Sequence, residues 1–302
     1  MGTCAVDAGA NVNEVRPDGP LVDLMGGALR RQIRVHEHGM VALVDVMPRL
    51  VSEGQTADAA IVQAARVSYG AGTKKISEDR GLIRYLMRHR HTTPLEMVEF
   101  KFHVALPIFV ARQWIRHRTA NVNEYSARYS IVPDRFYTPA LEDVRAQSAV
   151  NRQGRGAPID EETAERFVAY LAKAEALHRD YLELTERGLA RELARIGLPQ
   201  SVYTEWYWKI DLHNLLHFLS LRLDAHAQQE IRDYARAILR LIEPIAPITV
   251  EAFRDYRMGA VTLTRLEAEA VREGRAELAC DNAREQREWA EKRKTLGLDK
   301  DE

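Results

Sequence analysis

The apolar positions of the chain recur with two periods. Residues 41–47 (VALVDVM) form a short apolar run closed by Pro48 and predict a strand. Residues 99–106 (EFKFHVAL) alternate polar with apolar, the signature of a half-buried strand. Residues 202–210 (VYTEWYWKI) are aromatic and strand-like. The helical period governs residues 58–67, with Asp58 as a possible N-cap, and residues 78–88, with acids in the first turn and bases in the last. Pro107 fits the first position of a helix, IFVARQWIRHR, reaching Arg118. A long charged helix is predicted from Glu161 to about Leu193, with an apolar stripe at Phe167, Leu171, Ala174 and Leu177 and a break near Gly188. Residues 212–223 (LHNLLHFLSLRL) read as a strongly apolar helix, and residues 228–241 as another before Pro244. Residues 151–158 read as a loop.

Few strands among several helices predict an α+β fold. Residues 1–34, rich in Gly, Asp and Asn, are expected to be a flexible N-terminal extension. Residues 35–260 form the main domain, and residues 261–302, dense in Arg and Glu, a solvated helical C-terminal extension.

Composition narrows the function classes. With 46% hydrophobic and 29% charged residues, the chain is ordinary for a soluble globular protein. A formal net charge of −1 gives no support for non-specific nucleic-acid binding, so any anion site must come from local clustering of Arg and His. Cys4 and Cys280 lie far from the polar motifs, which argues against a disulfide framework and a cysteine nucleophile. No apolar run approaches the ~20 residues that cross a bilayer, and no secretory signal is read. A cytoplasmic protein with neither membrane nor nucleic-acid partner is expected.

Three polar clusters carry candidate chemistry. Residues 112–128 (RQWIRHRTANVNEYSAR) follow an apolar half-helix and combine phosphate-matching guanidinium groups with mixed donors and acceptors suited to a ribose or base edge. A solvated basic helix end, an anion or nucleotide site, and a nucleic-acid surface are all open for this segment. Residues 88–96 (RHRHTTPLE) could hold a phosphate or an electron-rich ring edge, or could simply complement a helix dipole. In the third cluster His213 and His217 stand at i, i+4, as do Arg222 and His226, so each pair is expected to share a face. A zinc pair, core histidines, and a cofactor or substrate wall are its readings. Arg222 favours the wall, because a guanidinium on so apolar a helix is costly to bury unpaired. A metal-dependent hydrolase and a non-catalytic nucleotide- or RNA-binding module are the rivals to an enzyme of another kind.

Four ordered blocks then resemble one family. Arg116-His117-Arg118, seven residues and Ser126 match the RHR-x7-S signature of the flavin-dependent thymidylate synthases. HTTPLE (91–96), PIFVARQWIRHR (107–118), NEYSARYS (123–130) and LRLDAHAQQEI (221–231) resemble its neighbouring segments, so that the similarity spans roughly residues 40–260. The resemblance implies a mixed sheet with flanking helices in the thymidylate synthase-complementing protein fold, assembled as a homotetramer with active sites at subunit interfaces. It implies FAD contacts from Ser68, Thr93, Arg116, His117, Arg118, Asn123, Glu124, Asp211, His213 and His217, with His226 nearby. It implies a dUMP site from Gln113, Trp114, Arg116, Glu124, Tyr125, Ser126, Ala127, Arg128, Arg195 and Arg222, Tyr125 and Ala127 contributing mainly backbone. Asp211, His213 and His217 stand where other members can carry Asn, Arg and Asn. The implied reaction converts dUMP to dTMP with 5,10-methylenetetrahydrofolate as carbon donor and NADPH-reduced FAD as hydride source. Arg222 is the implied catalytic cation, His91 a folate or proton-relay residue, and no metal takes part.

Overall fold

A computed structural model of the chain describes residues 32–50, 54–67, 79–148 and 154–299. Ser68 and nearly all of the expected N-terminal extension lie outside the described residues. The described chain falls into two compact units that divide between Phe253 and Arg254.

The first unit is built on a five-stranded sheet. In chain order its elements are β1 (Gln32–Val35), β2 (Gly39–Met47), α1 (Asp58–Val67), α2 (Asp79–Arg88), α3 (Thr93–Glu96), β3 (Glu99–Pro107), α4 (Ile108–Trp114) and β4 (Asn121–Glu124). There follow β5 (Arg145–Gln147), β6 (Arg155–Pro158), α5 (Glu161–Leu171), α6 (Lys173–Glu186), α7 (Arg191–Ala194), β7 (Tyr203–Asp211), α8 (Leu212–Arg222), α9 (Gln229–Ile242) and α10 (Pro247–Phe253). The sheet order is β1-β2-β3-β7-β4, and every described pairing is antiparallel, so the expected mixed sheet is corrected to an antiparallel one.

Period-two alternation sorts the faces. Phe100, Phe102 and Val104 of β3 stand opposite Ile210, Trp208 and Trp206 of β7, and all six are buried. Lys101 and His103 point the other way with Tyr207 and Lys209. His103 stacks on Tyr207 at 5.0 Å between ring centroids, and Lys209 escapes the like charge of Lys101 by pairing with Glu99 at 2.8 Å. Trp114, fully buried at the end of α4, touches Trp206, Trp208, Phe218 and Tyr234. It thus clasps α4, β7, α8 and α9 together, and its truncation to alanine would cost about 3–5 kcal/mol. The turn from β1 to β2 needs Gly39, since a Cβ there would run into the Tyr234 hydroxyl and the Val35 carbonyl.

Several expectations change. The helix after Pro107 stops at Trp114, four residues short of Arg118, and Pro107 is its extended N-cap. Trp114 is the last side chain there with a core to enter; Ile115, Arg116 and Arg118 are exposed. The long helix breaks at Ala172 as well as at the expected place near Gly188, and its buried side chains are Ala164, Ala174, His178 and Tyr181, whereas Phe167 and Leu177 are exposed. Residues 155–158 of the expected loop pair with β5 as a hairpin. Asp58 is buried and its carboxylate accepts from Ile248 N, Thr249 N and Thr249 Oγ1, so it caps α10 across the fold.

The second unit contains α11 (Arg265–Glu273) and α12 (Ala283–Thr295). Thr264 and Glu267 form a capping box, Lys292 pairs with Glu267 at 2.8 Å, and Ala270, Leu278 and Trp289 make a small core. The expected solvated tail helix is corrected to a helical pair with an interior of its own. Among the described residues no helix is long and apolar enough to cross a membrane.

Candidate active site

Helix α8 starts where β7 ends, and Asp211 is its N-cap. One carboxylate oxygen accepts from Asn214 N at 2.9 Å and the other from Asn214 Nδ2 at 2.7 Å. Leu212, Leu215, Leu216, Phe218 and Leu219 bury one face, which leaves His213 and His217 on the polar side, while Arg222, one turn beyond Phe218, continues the buried face at the helix end. The turn that follows α4 lies against that side. His117 sits edge-on to His217 and to Phe218, both at 5.5 Å, and its Nε2 is 3.0 Å from Thr119 Oγ1. Burial first, then the charges of His217 and Arg222, hold the His117 imidazole below its ordinary pKa. It is therefore neutral at pH 7 and offers one donor and one acceptor.

Arg222 closes α8. Its Nη2 makes a long 3.4 Å bond to the Gln113 carbonyl, its Nε is buried with no partner, and desolvation lowers its pKa. The side-chain Oε1 of Gln113 is also buried and unpartnered. An unmade bond at a buried polar atom costs about 1–3 kcal/mol, so an orphaned donor and an orphaned acceptor on two residues in contact mark a place for a polar ligand.

A second set lies on β4 and the following loop. Asn121–Glu124 pair with β7 yet are exposed along their whole length. Glu124 accepts from the buried Thr204 hydroxyl at 2.8 Å, which fixes its carboxylate, while Asn123 points to solvent. Tyr125 is tied by its N–H to Glu205 O and by its hydroxyl to Ile131 O. The Ser126 carbonyl accepts from Tyr129 N and Ser130 N, and its Oγ from Arg128 N at 3.4 Å. Arg128 pairs with Glu192 of α7 at 3.1 Å, and exposed Arg195 follows in the next turn. Two residues that sequence reasoning missed brace this loop. Tyr181 OH accepts from Val132 N at 3.1 Å, and His178 Nε2 lies 2.8 Å from Val132 O. Their i, i+3 spacing on α6 was the available signal.

A third set surrounds α3, which packs against α8. His91 and Thr93 are exposed, and His91 forms an aromatic group with Tyr85 and His89 after Arg90, whose φ is 59°. The structure thus gathers Gln113, His117, His217 and Arg222 in one place, and Ser126, Arg128 and the Arg195 turn in another. Arg116 and Arg118 are exposed with no carboxylate partner among the described residues. Trp114 is sealed in the core and can offer a ligand only its backbone. The shared face expected for Arg222 and His226 is corrected: α8 ends at Arg222, and His226 sits in a loop, Nδ1 2.8 Å from Asp224. Among the described residues no three His, Cys, Asp or Glu side chains gather in metal-holding geometry.

The thymidylate synthase complementing protein family model matches residues 49–248, a span that holds every one of these sets. The chain belongs to this family of enzymes. A flavin-dependent thymidylate synthase of Dictyostelium discoideum is 61% identical over 285 residues, covering 94% of each chain. Another of Gluconobacter oxydans is 52% identical over 279 residues, covering 90% of this chain and 89% of the relative. Among solved structures, a UMP/dUMP methylase, PolB, from Streptomyces cacaoi bound with 5-Br UMP superposes with a TM-score of 0.64 at 36% identity, covering 74% of this chain and 97% of that one. The same methylase bound with 5-Br dUMP gives 0.63 at 34% identity, covering 74% and 98%. Membership leaves the non-catalytic RNA-binding alternative without support.

Proposed function

We propose that the chain methylates dUMP to dTMP, with 5,10-methylenetetrahydrofolate as carbon donor and NADPH-reduced FAD as hydride source, and with no covalent bond between enzyme and pyrimidine. The carrying observation is the buried, unpartnered Nε of Arg222, whose guanidinium touches the backbone of Gln113, a residue with an equally unpartnered Oε1. A pyrimidine edge offers complementary groups to both. A fixed cation there stabilises the negative charge that spreads over the ring when N3 loses its proton, and so enriches C5 in electrons. The site needs no thiolate: Cys280 belongs to the second unit, and the sequence puts Cys4 far from every motif.

The donor set also fits a flavin. Arg116, His117, Arg118, Asn123 and Glu124, with Ser68 and Thr93, would hold FAD, together with Asp211, His213, His217 and His226. Neutral His117 suits a ring edge that alternates donors and acceptors. FAD supplies the hydride when bound. Gln113 to Arg116, Glu124 to Arg128, Arg195 and Arg222 would orient the nucleotide, the arginines gripping phosphate and pyrimidine, and so convert bimolecular encounter into fixed geometry. His91 would face the folate.

In this reading residues 35–260 are the catalytic domain of a cytoplasmic homotetramer. The exposed edge strand β4 and the exposed apolar side chains Val122, Tyr129 and Ile196 next to the second set support an interface there. The purified protein is expected to show flavin absorbance and to form dTMP only when dUMP, methylenetetrahydrofolate and NADPH are all present. A colourless protein that forms no dTMP after added FAD would sink the proposal.

A further inference from the structure

A cleft of about 520 Å³ opens between the β5–β6 hairpin and the start of α9. That volume suits a molecule better than a lone ion. Arg145 of β5, Arg155 of β6 and Arg232 of α9 face it, with Asp143 and His226 as the other titratable groups of the wall. Arg155 is already paired with the buried Glu230. Arg145 has no carboxylate partner among the described residues, and Arg232, which donates to Gln229, keeps a buried Nε with no partner. Helix α9, 14 residues long, begins in this wall at Gln228, whose side chain does not cap it, so the positive end of its dipole is also available.

The wall selects the shape of its ligand. Its apolar members are Ala225, Ala227 and two glycines, so no ring platform exists for a base or a pterin. The two guanidinium groups left without a carboxylate partner, Arg145 and Arg232, stand on separate elements, which matches charges spaced along a chain better than one compact phosphate. We infer that this cleft binds a flexible oligocarboxylate tail and, resting on the proposed reaction, that the tail is the glutamate chain of the folate co-substrate. Reach is adequate: His226 lies four residues beyond Arg222, so their Cα atoms are at most about 15 Å apart. The cleft would therefore hold the distant end of a molecule whose reactive end is at Arg222.

The test uses full-length holoenzyme and the variants Arg145→Gln and Arg232→Gln, with flavin absorbance and melting temperature confirming the fold. KM is measured for methylenetetrahydrofolate carrying one or five glutamates, and a free penta-γ-glutamate peptide is titrated by calorimetry. The wild type is expected to show a KM about tenfold lower for the longer form, and both variants to lose that preference and to bind the peptide about tenfold more weakly. Equal KM values for the two folates in the wild type, or a peptide that does not bind, would overturn the assignment. It is also overturned if the variants change only the KM for NADPH or the affinity for inorganic pyrophosphate, since the cleft would then serve a phosphate. Intact peptide binding without turnover of either folate supports the cleft and counts against the proposed reaction instead.

Discussion

Arg155, exposed on β6 but set against a buried carboxylate, and Arg222, half-buried at the end of α8, are treated by the fold in opposite ways. Arg155 meets the fully buried Glu230, which also accepts from the Tyr137 hydroxyl at 2.7 Å. Although burial opposes it, that partnership raises the Arg155 pKa and holds the Glu230 carboxyl below its ordinary range. Arg222 has only a long bond to a backbone carbonyl, and its pKa falls. A buried cation with its counter-charge is part of the scaffold; a buried cation without one carries a desolvation cost that a ligand can offset. By that distinction Arg222, like Arg232 of the cleft, is a place where a ligand can offset the cost.

The comparison can be broken by exchanging the outcomes. Arg222→Ala should lower dTMP formation by about 10³-fold, on the order of 4 kcal/mol, while the melting temperature stays unchanged or rises. If it unfolds the protein, Arg222 is scaffold like Arg155. Glu230→Ala should do the reverse and destabilise the fold by about 3–5 kcal/mol in urea denaturation, because it strands Arg155 and Tyr137. The same carboxylate gives a pH signature. With its folded pKa depressed, its contribution is present above the unfolded carboxylate pKa and is lost as pH falls through the folded value. The urea midpoint should therefore drop as pH falls below the ordinary glutamate value of 4.5, and Glu230→Gln should flatten part of that drop. The smallest expected effect is on His117: loss of the neighbouring cation in Arg222→Ala should raise its pKa, which imidazole proton NMR can follow. An unchanged titration would mean that the two groups do not share a site.

How much of this was legible varied with how local the cause was. β2, β3, α8 and α9 announce themselves because their own side chains alternate or recur with the helical period. β4 does not: Asn121–Glu124 has no buried side chain, and only pairing with β7 makes it a strand. The early end of α4 was hidden for a related reason. Nothing in RHR forbids a helix, but Trp114 is the last residue there with a core to enter. Arg222 could be singled out from composition alone, as a cation on an apolar helix, and the Arg-His-Arg spacing pointed to the family. The spacing of His178 and Tyr181 showed only that they share a helix face; what they hold was hidden, because the Val132 backbone is more than forty residues away in sequence. Sequence distance also obscured Glu230, whose partners are Arg155, on a strand that the sequence shows as a loop, and Tyr137, 93 residues away.

The cap that Asp58 places on α10 carries a consequence for biosynthesis. Its donors, Ile248 and Thr249, leave the ribosome 190 and 191 residues after it. Until then the carboxylate has only water to accept from; once folded, burial pushes its pKa up in spite of the Thr249 and Ile248 donors. The α1 end of the unit therefore stays open through most of translation, and a chain truncated before residue 248 would be released with that seam unsealed.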